Sequence, residues 1–429
     1  MNALKRAIGL PAATALVVGT IIGSSIFVQA SELTTLVPHP GMVVLAWAVA
    51  GVLTLIGALV CAELSSAFPR TGGVYVFFKE IYSPTLGFIW GWAMFWTMHS
   101  GILAAIATVF ARYAGYFVEL DATGSRLVAV SAILVLSAIN YRGVGFGSGV
   151  QSSFTLVKVL AVMAIMILGF ALHRGAPAAA VESLPPVTFA NFLLAVGAGL
   201  FAYGGWHMVT YTAEETVDPT RTIPRSLLLG VIVVTLCYIG LNVVYLMVLP
   251  IKSVMSSTRV AADTFEILLG PGAAGAISAL VMFSSFGALN GIVMVGPRVY
   301  YQMAQDGLWF KFAGHLHPRF QTPDRAIIVQ AVWSSVLVMT GSYRALFTRV
   351  IYTEWIFFAL LALGVVIMRR RAGYAPGWRM ALVPAAPILF IVVSLMIVVN
   401  QIRVDVASAA IGLGIVATGF PAYYFWARR

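Results

Sequence analysis

Charge is scarce in this sequence: of 429 residues, only 10% are Asp, Glu, Lys or Arg. A soluble domain carries about 25%, and too few charges remain here to coat a water-facing surface of this size. A water-soluble enzyme is thereby excluded, as are a disordered chain and a fibre. Acidic residues are the scarcest, 15 against 26 Lys and Arg, which leaves a net charge of +11. In a soluble protein that excess would suggest nucleic acid. In a chain whose mean hydropathy is +0.95 it marks loops that face anionic lipid, and no nucleic-acid partner is expected. Cysteine is nearly missing: Cys61 and Cys237 both lie inside apolar runs, which argues against a structural disulfide. No phosphate-binding loop, HExxH pair or GxSxG elbow occurs, so no enzymatic activity is expected and ATP-driven transport would need a partner. His315 and His317 stand two apart without a nearby Cys or carboxylate cluster, so no metal and no cofactor are expected. The first apolar run, 7–31, is longer than a signal-peptide core and is followed by more of the same, which argues against cleavage.

Apolar residues, in contrast, make up 60% of the chain. At about 20 residues per crossing they supply about twelve membrane helices with short loops. Stretches free of charge place these spans near 10–36, 41–68, 84–117, 125–141, 148–172, 190–214, 226–250, 273–304, 326–341, 346–368, 380–400 and 405–426. With the N-terminus in the cytoplasm, the loops on that side hold roughly twice as many Lys and Arg as the opposite loops. That bias predicts a multi-pass cell-membrane protein with both termini cytoplasmic.

Two spans carry small-residue interruptions at corresponding places. Span 1 reads Val18-Gly19-Thr20-Ile21-Ile22-Gly23-Ser24-Ser25-Ile26-Phe27, and span 6 reads Gly197-Ala198-Gly199-Leu200-Phe201-Ala202-Tyr203-Gly204-Gly205-Trp206. Matched breaks in the first helix of each of two five-helix sets are the sequence pointer to a transporter built from inverted repeats. The expected organisation is a first repeat at 1–172, a second at 173–371, and two trailing helices at 372–429. A break frees backbone groups that hydrocarbon cannot satisfy. The N–H groups opening the second half of span 1, near Ser25, suit a carboxylate. The carbonyls around Ile21 and from Phe201 to Gly204 suit an ammonium. One α-amino acid satisfies both sets. The other reading of span 1 alone is that Gly19 and Gly23 form a helix-packing face.

Gly19-Thr20-Ile21-Ile22-Gly23-Ser24-Ser25-Ile26-Phe27 resembles the helix 1 signature of the amino acid–polyamine–organocation superfamily, most closely its L-type amino acid transporters. Pro69-Arg70-Thr71-Gly72-Gly73, Asn140-Tyr141-Arg142-Gly143-Val144, the span 6 run above, and Ser285-Phe286-Gly287-Ala288-Leu289-Asn290-Gly291 with Arg298 are similar as well. The resemblance implies an all-α membrane protein with a five-plus-five inverted-repeat core and with helices 1 and 6 unwound at mid-membrane. It implies that Gly23, Ser24, Ser25 and Ile26 bind the substrate carboxylate. Carbonyls of Ile21, Phe201 and Ala202 would bind its amino group, with Gly204 nearby. Phe201 would gate the site, and Asn290 would face the substrate side chain. Ser25 stands where relatives carry a glycine, and His207 follows Trp206 where many carry Asn. Animal members join a heavy chain through a cysteine between helices 3 and 4. The segment Glu119-Leu120-Asp121-Ala122-Thr123-Gly124-Ser125 has none, so no disulfide-linked heavy chain is expected.

Lys158 lies in the middle of span 5. A charge there costs about 2.5–3.5 kcal/mol by insertion scales and is functional by default; the resemblance implies that it fills the place of a sodium ion. Acceptors are expected among the carbonyls near Gly19 to Gly23 and the hydroxyls of Ser284 and Ser285. Glu354 either lines the pocket, selecting cationic side chains or carrying a proton, or is a structural partner of Arg349 or a neighbouring helix. His207 and Tyr203 are pocket or gating candidates. Glu63, Glu214 and Glu215 either pair with Arg70, Arg221 or Arg225 or are simply solvated. The chain is expected to be a sodium-independent secondary amino acid transporter, an exchanger or a proton-linked permease working by alternating access. The rivals are a polyamine or organic-amine transporter of the same fold and, from another class, a channel or an amino-acid sensor.

Overall fold

The computed structural model describes residues 6–173, 186–270, 272–341 and 343–427, and their side chains except at 144–148, 150 and 343–351. Among them no β-strand forms, only an isolated bridge between Ile8 and Thr216. The chain enters α1 (Leu10–Ile21), breaks, and continues as α2 (Ser25–Leu36), α3 (Pro40–Ala67) and the short α4 (Val74–Ile81). Helix α5 (Pro84–Ala93) runs through a π turn, Met94–Met98, into α6 (His99–Ala114). Then follow α7 (Ala122–Tyr141), α8 (Val144–Leu172), and α9 (Phe189–Ala202), which leads into a 3-10 helix at Trp206–Glu215. The second half contains α10 (Pro219–Val248), α11 (Ile251–Ser256), α12 (Val260–Leu269), α13 (Ala273–Gln305), α14 (Asp324–Thr340) and α15 (Tyr343–Met368). Helices α16 (Ala385–Val404), α17 (Val406–Ala417) and α18 (Gly419–Ala427) end the chain.

Local chemistry sets several boundaries. Proline opens α1, α3, α5 and α10, where its missing N–H costs nothing and its fixed φ suits the first turn. Ser83, Asp121 and Thr188 accept hydrogen bonds from the backbone N–H three residues on, which is side-chain N-capping.

Nine helices among the described residues are long and apolar enough to cross a membrane, and the bent pair α1–α2 makes a tenth. The expected span 9 is α14, 17 residues long, and span 10 is α15, whose described apolar part is Tyr352–Met368. Span 12 divides into α17 and α18, and α4, α11 and α12 are short helices that the charge-free stretches do not announce.

The break in span 1 bends its two halves by 43°. Around it, α1 lies along α10, α8 and α13, while α2 lies along α9 and α11; α10 also packs along α3, and α13 along α6. The interruption therefore sits deep among helices that can supply partners for its freed backbone groups, as a broken helix in lipid requires.

Candidate functional site

The two breaks meet. The Thr20 hydroxyl, one turn before the span 1 break, lies 3.2 Å from the Gly205 carbonyl in the span 6 break. Gly205 has φ +104°, and a Cβ there would stand 2.9 Å from the Thr20 carbonyl oxygen. Only glycine allows that conformation and that approach together. Just ahead of α1, Ala7 and Ile8 donate N–H bonds to the Glu215 carbonyl at 2.9 and 3.0 Å. The start of span 1 is thus tied to the end of the 3-10 helix.

Between the breaks lies a small cavity. Thr20, Ile21, Ser25, Phe201, Ala202, Gly204 and Gly205 line it from the breaks. Ile102 and Ile106 of α6, Met208 and Ile292 complete the wall. Its free volume is about 10 Å³, about the room one water needs. Phe201 carries the largest side chain in the wall.

Backbone polar groups of both breaks surround this cavity. Phe27 N–H closes onto the Ser24 carbonyl at 3.0 Å. The N–H groups of Ser24, Ser25 and Ile26 thus lie ahead of the first helical bond of α2, at its positive end. The Gly23 N–H differs: it donates to the Ile21 carbonyl at 2.8 Å, and the Gly23 carbonyl accepts from the Ser284 hydroxyl at 3.2 Å. Across the cavity, the Tyr238 hydroxyl of α10 lies 2.9 Å from the Ile21 carbonyl and 3.0 Å from that of Ala202. One phenolic proton thus serves two carbonyls from two broken helices. The sequence does not single out Tyr238, because a tyrosine in an apolar span reads as an interface anchor.

Lys158 is fully buried, 1% exposed. Its ammonium donates to the carbonyls of Gly19 at 3.0 Å, Ile22 at 2.8 Å and Ser284 at 3.4 Å. Three donors meet three acceptors. The break carbonyls appear as expected, but Ser284 contributes its carbonyl rather than its hydroxyl, and the Ser285 hydroxyl turns back to the Val281 carbonyl.

Other candidates sit away from the cavity. The Asn290 carboxamide accepts from Asn140 at 2.8 Å and donates to Gln151 at 3.0 Å. It joins α13 to α7 and α8 and is absent from the cavity wall. Tyr203 is buried against Trp47 and Tyr238. His207 is enclosed by Trp90, Trp206, Tyr211 and Phe358; neither of its ring nitrogens finds a hydrogen-bond partner among the described residues. Glu354 is 5% exposed and does not line the cavity; the side chain of Arg349 lies outside the described residues. His99 of α6 reaches the Ile292 carbonyl through Nε2 at 3.1 Å, while its Nδ1 finds no hydrogen-bond partner among the described residues.

The anticipated acidic pairs are replaced by others. Glu63 binds Arg369 through two contacts of 2.9 and 2.6 Å, and Glu215 binds Arg298 through two of 2.6 and 2.9 Å. Neither uses Arg70, Arg221 or Arg225. Sequence distance hides these partners, since each pair joins helices far apart in the chain. Lys79 and Tyr75 of α4 converge on Asp306 at 2.7 and 2.6 Å. Both cysteines are free and buried. Among the described residues no group of three or more His, Cys, Asp or Glu could hold a metal ion.

Comparison with known proteins finds one matching family and several relatives. The family model described as amino acid permease matches residues 8–423. The serine/threonine exchanger SteT of Bacillus subtilis is 31% identical over 433 residues, covering 100% of this chain and 98% of its own length. The human b(0,+)-type amino acid transporter 1 is 31% identical over 86% of this chain and 77% of its own. The human large neutral amino acids transporter small subunit 2 is 29% identical over 100% and 82%.

Proposed function

Because this chain belongs to the amino acid permease family, and is a multi-pass membrane transporter rather than an enzyme, we propose that it exchanges small neutral L-amino acids across the cell membrane without sodium. The observation that carries the reading is the cavity between the two breaks. Its wall holds no charged side chain, so an ionised substrate side chain would go unpaired at a cost that binding could not recover. Its small size favours a short side chain. The helix N-terminus at Ser24, Ser25 and Ile26 takes the carboxylate. The carbonyls of Ile21, Phe201 and Ala202, near Gly204, take the ammonium. In this conformation the Gly23 N–H is committed to the Ile21 carbonyl, so Gly23 shapes the turn rather than donating to the substrate. Asn290 reaches the substrate side chain only if its chain with Asn140 and Gln151 opens.

Alternating access follows from two inverted repeats, 1–172 and 173–371, with 372–429 outside them and both termini cytoplasmic. Phe201 moves aside to admit substrate. Lys158 supplies the positive charge that a bound sodium would otherwise place between span 1 and α13. A single chain suffices, since neither cysteine is accessible for a disulfide to a second subunit. A polyamine has no carboxylate and would leave the N–H groups of α2 unused. A channel or a sensor would show no saturable counter-transport. Proton-linked uptake is the second reading, favoured by the burial of Glu354 and His207. Reconstituted protein loaded with serine should take up labelled serine, alanine or threonine from outside in sodium-free buffer. Uptake that needs no internal amino acid but follows an imposed pH gradient would replace exchange by proton symport.

A further inference from the structure

We propose that a groove between α7 and α14 holds the acyl chains of an anionic phospholipid, with its phosphate group gripped by Arg142, Arg319 and Arg325. The groove has a volume of about 590 Å³. One wall is a single face of α7, with Leu134, Ser137, Ala138 and Tyr141 spaced for one side of a helix. Ile328 and Val332 of α14 stand opposite. Leu134, Ile328 and Val332 are 48, 51 and 57% exposed. A flat apolar face would meet bilayer lipid anywhere on this molecule. This one is concave, and its basic end sets it apart.

Arg142 lines the groove where α7 ends. Arg319 stacks over the Phe320 ring at 5.6 Å, and Phe320 closes the same end. Arg325 stands in the first turn of α14, just before Ile327 and Ile328 of the wall. All three arginines are exposed, and among the described residues no carboxylate lies within ion-pair distance of any of their side chains. Asp324, the chain neighbour of Arg325, is turned inward, 6% exposed, toward His315 at 2.8 Å and the Tyr141 hydroxyl at 3.5 Å. It therefore does not cancel the cluster. The Thr322 hydroxyl donates to the Tyr141 carbonyl at 2.9 Å, holding the arginine-bearing loop against the end of α7. One arginine in the groove, with two more exposed on the segments that carry its Phe320 and Ile328 walls, matches a phosphate on acyl chains.

The test is native mass spectrometry of the purified, delipidated full chain offered phosphatidylglycerol or phosphatidylcholine with the same acyl chains. The wild type should retain phosphatidylglycerol at least ten-fold more than phosphatidylcholine. The triple change Arg142→Ala, Arg319→Ala, Arg325→Ala should abolish that preference. Ala138→Trp, at an exposed position on the groove wall, should abolish retention with all three cations in place. Equal retention of both lipids by the wild type would overturn the proposal. So would full retention by Ala138→Trp, which would reduce the effect to surface charge. Displacement of the lipid by millimolar inorganic phosphate would assign the site to a free anion and would overturn it too.

Discussion

The hydroxyl of Tyr238 stands between the carbonyls of Ile21 and Ala202, 2.9 and 3.0 Å away, and so joins both broken helices through one proton. The same two carbonyls are the acceptors proposed for a substrate ammonium. An ammonium has three donors and satisfies both at once. Tyr238→Phe should therefore harm the empty protein more than the loaded one. An unmet buried acceptor costs about 1–3 kcal/mol, so the unfolding temperature without ligand should fall. Saturating amino acid should raise it by more than it raises the wild type. A ligand-induced shift equal to that of the wild type would show that Tyr238 is outside the binding chemistry.

Lys158 binds three carbonyls contributed by α1, by the span 1 break and by α13. Lys158→Ala should reduce exchange at least ten-fold while leaving measurable substrate binding, because no proposed ligand contact is removed. Lys158→Arg should rescue poorly, since the planar guanidinium does not fit a compact, three-acceptor site. Parallel flux and equilibrium-binding assays on the two variants decide this. Sodium-free transport by Lys158→Ala at the wild-type rate would contradict it.

Gly205 lets span 6 touch span 1. Gly205→Ala adds a Cβ 2.9 Å from the Thr20 carbonyl oxygen at φ +104°, a backbone conformation that costs a non-glycine residue about 1–2 kcal/mol. Transport should be lost although the protein still inserts in the membrane. Gly373 also has a positive φ, but nothing lies within 4 Å of the place a Cβ would take. Gly373→Ala therefore serves as the control and should retain exchange.

The Glu215–Arg298 pair is buried on both sides, 2 and 4% exposed. Removing one partner strands a charge, an effect of about 3–5 kcal/mol. Glu215→Gln or Arg298→Met should therefore lower the unfolding temperature sharply. The double change Glu215→Met, Arg298→Met should recover part of the loss. If each single change is as stable as the wild type, the pair is not a brace.

The legible parts of this molecule are those written in local pattern. The break of span 1 shows in Gly23-Ser24-Ser25, and α2 does begin at Ser25. Lys158 stands out as a lone charge in an apolar helix, and its acceptors follow from the freed carbonyls of the same break. What the pattern does not carry is orientation. Asn290 on α13 turns to α7 and α8, and Tyr203, in the turn after α9, packs on Trp47 and Tyr238, because the direction a side chain takes is invisible without its neighbours. The walls built by Ile102, Ile106, Met208 and Ile292 are ordinary apolar residues of membrane spans. Glu63 finds Arg369 rather than Arg70 because the fold brings distant helix ends together, which loop proximity does not encode.

Whether one zwitterionic amino acid bridges the two breaks and is exchanged without sodium is decided by counterflow. Labelled serine is offered to liposomes that hold the purified chain and are loaded with unlabelled serine. The buffer is sodium-free, and serine, ethanolamine and putrescine serve as external competitors. Uptake should depend on internal serine, be unchanged by added sodium, and be blocked by serine but not by either amine. Strict sodium dependence, or competition by ethanolamine equal to that of serine, would refute the bridging zwitterion.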